Sequence, residues 1–126
     1  MSPAAFNWSE CLNLADNLSA KLDEASHRTS VSRAYYFVYH TASATAVANG
    51  YVDMKSHVAL WNYFNKQSDR QCRKIAQIGL RMKRNRVRAD YEATFAKISA
   101  LVPIVLADAK GFLTQINAIP SGFPTP

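Results

Sequence analysis

The stretch SRAYYFVYH, residues 32–40, encloses six small, apolar or aromatic residues between an arginine and a histidine. On an α-helix the seven-residue step from Arg33 to His40 turns through about 700° and advances about 10.5 Å, so the two side chains share one face, two turns apart. The helix is otherwise apolar nearly all round, which predicts that it is the central element of the fold. We expect Phe37, Ala44 and Val47 near the face of Arg33 and His40, and Tyr35, Val38, Tyr39, Ala42 and Ala46 on the opposite side.

The composition is that of one soluble domain. The chain has 126 residues, of which 48% are hydrophobic, enough for one core and too few for two ordinary domains. Neither Cys11 nor Cys72 has a second cysteine or a histidine at metal-ligand spacing, which predicts free thiols in a reducing compartment. The first nine residues lack the pattern of a secretory signal, and polar residues interrupt the longest uncharged stretch, residues 34–52. We therefore expect a cytoplasmic protein with no membrane partner, no metal and no other cofactor.

Charge is distributed unevenly along the chain. Fifteen Lys and Arg against nine Asp and Glu give a net charge of +6, and residues 70–88 hold eight bases and no acid. A positive excess favours polyanionic partners. We expect one end of the molecule to be strongly positive.

Hydrophobic spacing predicts an all-α fold, an antiparallel bundle of four or five helices in a single domain over residues 1–119. We expect the first helix over residues 8–26, the second from Thr29 or Ser30 to the Asn49-Gly50 stop, and the third from the cap Ser56 to about Lys66.

Asp69 is the predicted cap of a fourth helix, in which Gly79 costs about 1 kcal/mol relative to Ala. The like charges of residues 83–88 then favour an exposed turn. A last helix that starts close to Ser99 places Pro103 in or just after the first turn. Its predicted core face is Leu101, Ile104, Val105, Ala109, Phe112, Leu113 and Ile116. The proline-rich residues 120–126 are predicted to be a disordered or surface-bound tail.

Arg33 and His40 together have the properties that metal-independent phosphodiester cleavage needs. An arginine holds the phosphate and stabilises its developing charge, and a histidine exchanges protons near neutral pH. The spacing alone favours a structural interpretation instead, in which Arg33 pairs with an acid such as Asp90 and His40 is a hydrogen-bonded core residue.

The basic segment of residues 70–88 is a second candidate, because its cations can bind RNA phosphates. A solvated helix face without a ligand is the alternative. Its members are Arg70, Arg73, Lys74, Arg81, Lys83, Arg84, Arg86 and Arg88. Arg86 is treated separately within this segment, because in the R-x-x-A-D-Y run we expect it to be structural, as are Asp90 and Tyr91, with Asp90 orienting an arginine or capping a helix. Tyr36 and His57 are further candidates for a cleft. His57 and His27 are weaker candidates than Arg33 and His40, and an ordinary surface position is the alternative for His57. The aromatic residues Tyr35, Tyr36, Tyr39, Trp61, Tyr63 and Phe64 can stack bases, although helical spacing favours core packing.

Two motifs together resemble the HEPN superfamily, and its small stand-alone proteins most. They are the R-x6-H helix of residues 33–40, followed by Asn49-Gly50 and Ser56-His57, and the R-x-x-A-D-Y run of residues 86–91. The resemblance extends over roughly residues 8–118. It implies a helical bundle that dimerises through the R-x4-6-H helices and, in active members, metal-independent RNA cleavage to 2′,3′-cyclic phosphate and 5′-hydroxyl ends. Arg33 and His40 match the family's catalytic pair.

The chain departs from the family pattern at two positions. Many nuclease members have a polar residue directly after the arginine, and here it is Ala34. Members silenced by a nucleotidyltransferase antitoxin often carry a modified tyrosine two positions after the histidine, and here it is Ala42, so we do not expect that modification.

Three hypotheses follow from the sequence. The first is a HEPN-type endoribonuclease of a toxin–antitoxin or phage-defence system, a homodimer with RNA as substrate and an antitoxin or nucleotidyltransferase-type partner. The second is a non-catalytic HEPN module that binds a nucleotide, nucleic acid or a partner protein through the same cleft, which Ala34 favours. The third is a structural subunit whose basic segment docks another protein.

Overall fold

Residues 6–119, the part of the chain that the computed structural model describes, form five α-helices and no strand. The helices are α1 (Ser9–Ser19), α2 (Glu24–Ala48), α3 (His57–Asn65), α4 (Arg70–Tyr91) and α5 (Ile98–Asn117). All five contribute to one hydrophobic core, and α2 packs against each of the other four. The all-α prediction and the central place of the arginine–histidine helix are confirmed. The predicted tail, residues 120–126, lies outside the described residues.

The boundary between α1 and α2 lies earlier in the chain than the sequence predicts. Helix α1 ends at Ser19, and Leu22, predicted to be one of its apolar positions, is 96% exposed. Helix α2 begins at Glu24 because the Asp23 carboxylate accepts a hydrogen bond from the Ser26 amide at 2.9 Å, which is the contact of an N-cap. His27 is buried, and its Nε2 lies 2.7 Å from the Lys21 carbonyl oxygen. This histidine therefore joins α2 to the preceding turn.

The predicted turn over residues 83–88 is wrong, because α4 continues without interruption to Tyr91. Two i,i+4 ion pairs, Arg86–Asp90 and Arg88–Glu92, each at 3.2 Å, offset like-charge repulsion at this end of the helix. The buried side of α4 also continues past the basic run, through Met82 to Ala89. Local charge density is therefore outweighed by packing on the inner side of α4 and by these two ion pairs.

Gly79 lies at a tight contact between α3 and α4. A Cβ atom at this position would overlap the indole ring of Trp61, a fully buried residue of α3. The glycine that costs about 1 kcal/mol in helix propensity therefore makes room for a large core side chain. The predicted caps of these two helices are confirmed, since Ser56 accepts from the Ala59 amide and Asp69 from the amides of Gln71 and Cys72.

Helix α5 starts at Ile98 and includes Pro103 just beyond its first turn, as predicted. Its predicted core position Ile104 is wrong, since this side chain is exposed, and Val102 and Leu106 are buried instead. By length and composition α5 could cross a membrane, with a mean hydropathy of 1.3, a property that core helices of soluble proteins share. It packs against α1, α2 and α4, which is compatible with a soluble domain.

Candidate active site

The exposed side of α2 is a stripe that contains the predicted catalytic pair. Arg33, Tyr36 and His40 are all half-buried, and we call these three residues the Arg33–His40 face. The stripe also includes Thr29 toward the start of the helix and Ala44 and Val47 toward its end, all exposed. Phe37 was predicted near this face but is buried, and its ring packs edge-on against Phe112 of α5.

Arg33 lies on an aromatic ring and has no ion pair within residues 6–119. Its Cζ atom is 4.7 Å from the centre of the Tyr36 ring, within the range of a cation–π interaction. One terminal nitrogen donates to the Ser32 hydroxyl at 3.4 Å, whereas Nε is buried without a hydrogen-bond partner. The predicted alternative, an Arg33–Asp90 pair, does not form, because Asp90 pairs with Arg86.

His40 is covered on one side by Trp8, the residue before α1. The two rings are stacked with centroids 3.5 Å apart and planes 8° from parallel, and the Tyr39 ring stands edge-on with its centroid 5.1 Å from that of His40. Neither ring nitrogen of His40 has a hydrogen-bond partner in the described part of the chain, unlike the predicted alternative of a hydrogen-bonded core histidine. Burial lowers the pKa of His40, and the nearby Asp53 carboxylate opposes this only in part. The imidazole is therefore neutral at pH 7 and able to accept a proton.

His57, the first residue of α3, belongs to a hydrogen-bonded aromatic cluster next to this face. The indole N–H of Trp61 donates to the Tyr35 hydroxyl at 3.3 Å, and Tyr35 Oη lies 2.5 Å from His57 Nδ1. Because an indole nitrogen can only donate, the Tyr35 hydroxyl accepts from Trp61, and which partner donates in its bond to His57 depends on the tautomer of the neutral imidazole. The His57 ring also stacks on Tyr39 at 3.8 Å.

The surroundings of His57 favour this neutral form. Burial lowers the pKa of His57, and the positive charges of Arg86 and Lys83 and the neighbouring His40 lower it further. The imidazoles of His57 and His40 thus lie close enough to influence each other, although they come from different helices. Both are neutral at pH 7.

Arg86 approaches the Arg33–His40 face from α4. Its Cζ atom lies 5.7 Å from the ring centres of both Tyr35 and Tyr36, and Asp90 holds the guanidinium at 3.2 Å. Like Arg33, Arg86 has a buried Nε without a hydrogen-bond partner among the described residues. Tyr91, the next residue, is 75% exposed.

The cations of the basic segment are spread along the whole of α4. Helix α4 is about 33 Å long, so Arg70, Arg73 and Lys74 lie near one end of it and Arg88 near the other. Three of its cations are paired with acids: Arg81 with Asp108, Arg86 with Asp90 and Arg88 with Glu92. Its later part lines a shallow groove of about 430 Å³ with Leu80, Lys83, Arg84, Val87 and Arg88.

A second groove, of about 350 Å³, runs beside Arg33 between α2 and α4. It is lined by Ala25, Arg28, Thr29, Ser32, Arg33, Ala89 and Asp90.

No three His, Cys, Asp or Glu side chains within residues 6–119 come together as a metal-binding group. Cys11 and Cys72 are buried and free. Burial, and to a smaller extent the nearby Asp69 carboxylate, raises the pKa of the Cys72 thiol to about 11.

Sequence reasoning missed the contacts that surround the Arg33–His40 face. The helical register of α4 could have placed Arg86 on the buried side, because it lies four residues after Met82 and three before Ala89. No pattern in the sequence predicts the stacking of Trp8 on His40. Comparisons with family models, curated proteins and solved structures found no match for the chain.

Proposed function

We propose that the protein is a metal-independent endoribonuclease of the HEPN type. The observation that carries this proposal is that Arg33 and His40 lie on the same accessible face of α2 while neither is engaged in an ion pair within residues 6–119. A structural arginine or histidine is normally paired when it is partly buried. The resemblance of residues 33–40 and 86–91 to the HEPN motifs supports the same assignment.

In the proposed reaction Arg33 binds the scissile phosphate and His40 accepts the proton of the adjacent ribose 2′-hydroxyl. The 2′-oxygen then attacks phosphorus, and the bond from phosphorus to the 5′-oxygen breaks. The products are a 2′,3′-cyclic phosphate and a 5′-hydroxyl, whose proton comes from a second acid. In a two-fold dimer, this acid would be His40 of the second copy in its protonated form, which is the minor form at pH 7.

The dimer belongs to the proposal because the exposed stripe of α2 suits a helix–helix contact. Thr29, Arg33, Tyr36, His40 and Val47 recur at the spacing of one helix face, and Val47 is 47% exposed. Two such stripes facing each other would bring two copies of the catalytic pair into one cleft. The toxin–antitoxin or phage-defence setting and an antitoxin partner rest on the resemblance alone.

The test is RNA cleavage by the purified chain in EDTA. Single-stranded RNA and tRNA labelled at one end should yield fragments that end in cyclic phosphate, identified by mass spectrometry. Arg33→Ala and His40→Ala should abolish cleavage, whereas Lys66→Ala, which removes a positive charge just after α3, should retain it. Intact RNA across the panel with a folded, dimeric protein would exclude the nuclease.

The second candidate function is a non-catalytic HEPN module that binds nucleotides or RNA through the same face. It is favoured by the Trp8 ring, which covers one side of His40, and by Ala34, which is fully buried and places no polar side chain directly after Arg33. This module would bind RNA in a way that Arg33→Ala weakens and would never yield cyclic phosphate ends.

A further inference from the structure

Arg86 occupies a position on α4 where packing favours an apolar side chain. The buried side of this helix includes Cys72, Ile75, Gly79, Met82 and Ala89, and position 86 continues their spacing of three and four residues. Accordingly, the Arg86 side chain is only 13% exposed. Burying a guanidinium costs desolvation free energy, and an apolar residue of similar volume is often equally or more stabilising. Core packing alone therefore gives no reason for an arginine here.

Two guanidinium groups meet at the same aromatic ring. Arg33 of α2 and Arg86 of α4 lie 4.7 Å and 5.7 Å from the centre of the Tyr36 ring. Asp90 pairs with Arg86, whereas Arg33 has no ion pair in the described part of the chain. The cluster therefore carries one positive charge in excess.

Both arginines also have an unused hydrogen-bond donor. The Nε atoms of Arg33 and Arg86 are buried and have no acceptor within residues 6–119. Buried donors without acceptors are unfavourable, and a guanidinium binds a phosphate through two parallel N–H groups, of which Nε–H is commonly one. An anion with several acceptor oxygens would satisfy both donors and the charge.

The groove between α2 and α4 gives such an anion a place next to the cluster. Arg33 lines it from α2 and Asp90, the partner of Arg86, lines it from α4. The other cation of the groove, Arg28, is already engaged by Glu24 at 3.1 Å and by the Ala89 carbonyl at 2.9 Å. Arg33 is therefore the uncompensated charge of the groove.

We propose that Arg86 is a second phosphate-binding arginine, which together with Arg33 binds one phosphodiester group at the Tyr36 ring. The identity of the ligand as RNA rests on the proposed function, whereas the two-arginine site itself requires only a phosphate group. The two helices thus contribute one arginine each. The basic segment then acts at this site through Arg86, whose orientation is fixed by Asp90, rather than through its full length.

The test is an NMR titration that observes the Nε–H groups of Arg33 and Arg86. The ¹⁵N-labelled full chain is titrated with inorganic phosphate and, separately, with a 2′-deoxy dinucleotide that has one phosphodiester and cannot be cleaved. The Nε–H signals are assigned from Arg33→Lys and Arg86→Lys. We expect both signals to shift with the same Kd, and Arg86→Gln to raise that Kd by about ten-fold or more, the loss expected for a charged hydrogen-bonding partner.

The control is Lys110→Gln, which also removes a cation paired with an aspartate, Asp16 at 3.5 Å, but on α5. It should leave the Kd unchanged. Urea unfolding of each variant identifies any that is destabilised, and Arg86→Met, similar in volume to the arginine stem, replaces Arg86→Gln if the latter does not fold. An Arg86 signal that stays still while that of Arg33 shifts would overturn the proposal, as would an unchanged Kd in a folded Arg86 variant.

An RNA cleavage assay distinguishes a failure of the two-arginine site from a failure of the nuclease assignment. If the native chain cleaves RNA and a folded Arg86→Gln variant cleaves it with unchanged KM and kcat, Arg86 is not part of the site although the nuclease assignment stands. If both Nε–H signals respond to phosphate but no RNA is ever cleaved, the two-arginine site stands and the nuclease assignment fails.

Discussion

Gly79→Ala should destabilise the protein although alanine is the better helix former. Helix propensity alone predicts a gain of about 1 kcal/mol. The new Cβ would overlap several ring carbons of Trp61, which is fully buried and whose indole nitrogen is bonded to Tyr35. Overpacking a rigid core side chain costs about 1–3 kcal/mol. With the overlap at the upper end of that range, the net loss in the free energy of unfolding is about 2 kcal/mol.

Gly111→Ala is the matched control, since a Cβ at this position of α5 meets no atom within 4 Å. It should raise the free energy of unfolding by up to about 1 kcal/mol. Urea unfolding followed by circular dichroism measures both variants, and their midpoints should move in opposite directions from that of the native chain. A Gly79→Ala variant as stable as Gly111→Ala would refute the tight α3–α4 packing.

Three further predictions concern the ends of helices and the histidines. Trp8→Ala should raise the pKa of His40 toward its ordinary value, because the ring that desolvates it is removed; an unchanged pKa in an NMR titration would contradict this. Because the pKa of His57 is lowered in the folded chain, the unfolded chain binds more protons than the folded one below about pH 6.5. The free energy of unfolding should therefore fall as the pH drops below about 6.5. In urea unfolding, the midpoint of His57→Gln should fall less over this pH range than that of the native chain. Asp23→Ala should lower the free energy of unfolding by about 1 kcal/mol, because the N-cap of α2 is lost. Asp16→Ala, which breaks an exposed ion pair, should change it by about 0.5 kcal/mol or less. Equal losses in urea unfolding would count against the cap.

Periodicity predicted the helices where the buried pattern was strong and failed where a local signal competed with packing. Leu22 continued the apolar spacing of α1, but the Asp23–Ser26 cap ends that spacing and starts α2. The like charges of residues 83–88 suggested a turn, but the inner side of α4 stays buried and two ion pairs offset the charge repulsion. In both cases the deciding interaction joins residues only three or four positions apart, Asp23 to Ser26 and Arg86 to Asp90.

The pair Arg33 and His40 could be found from the sequence, whereas its surroundings could not. Their shared face follows from helix geometry alone. The contacts of Trp8 and Arg86 with that face join residues separated by more than thirty positions in the chain. Such contacts depend on how the helices cross, which no periodicity within a single helix specifies.

The segment of α2 from Tyr35 to His40 is where four parts of the fold meet. Trp8 stacks on it from before α1, His57 and Trp61 bond to it from α3, and Arg86 packs on it from α4. Perturbations on different helices should therefore act through shared neighbours and be non-additive, as is usual for residues in one network. Gly79→Ala moves Trp61 and with it the Tyr35–His57 bond, so the double variant Gly79→Ala/His57→Gln should lose less stability than the two single variants predict. Additive losses would mean that α3 is coupled to the central helix more weakly than these contacts indicate.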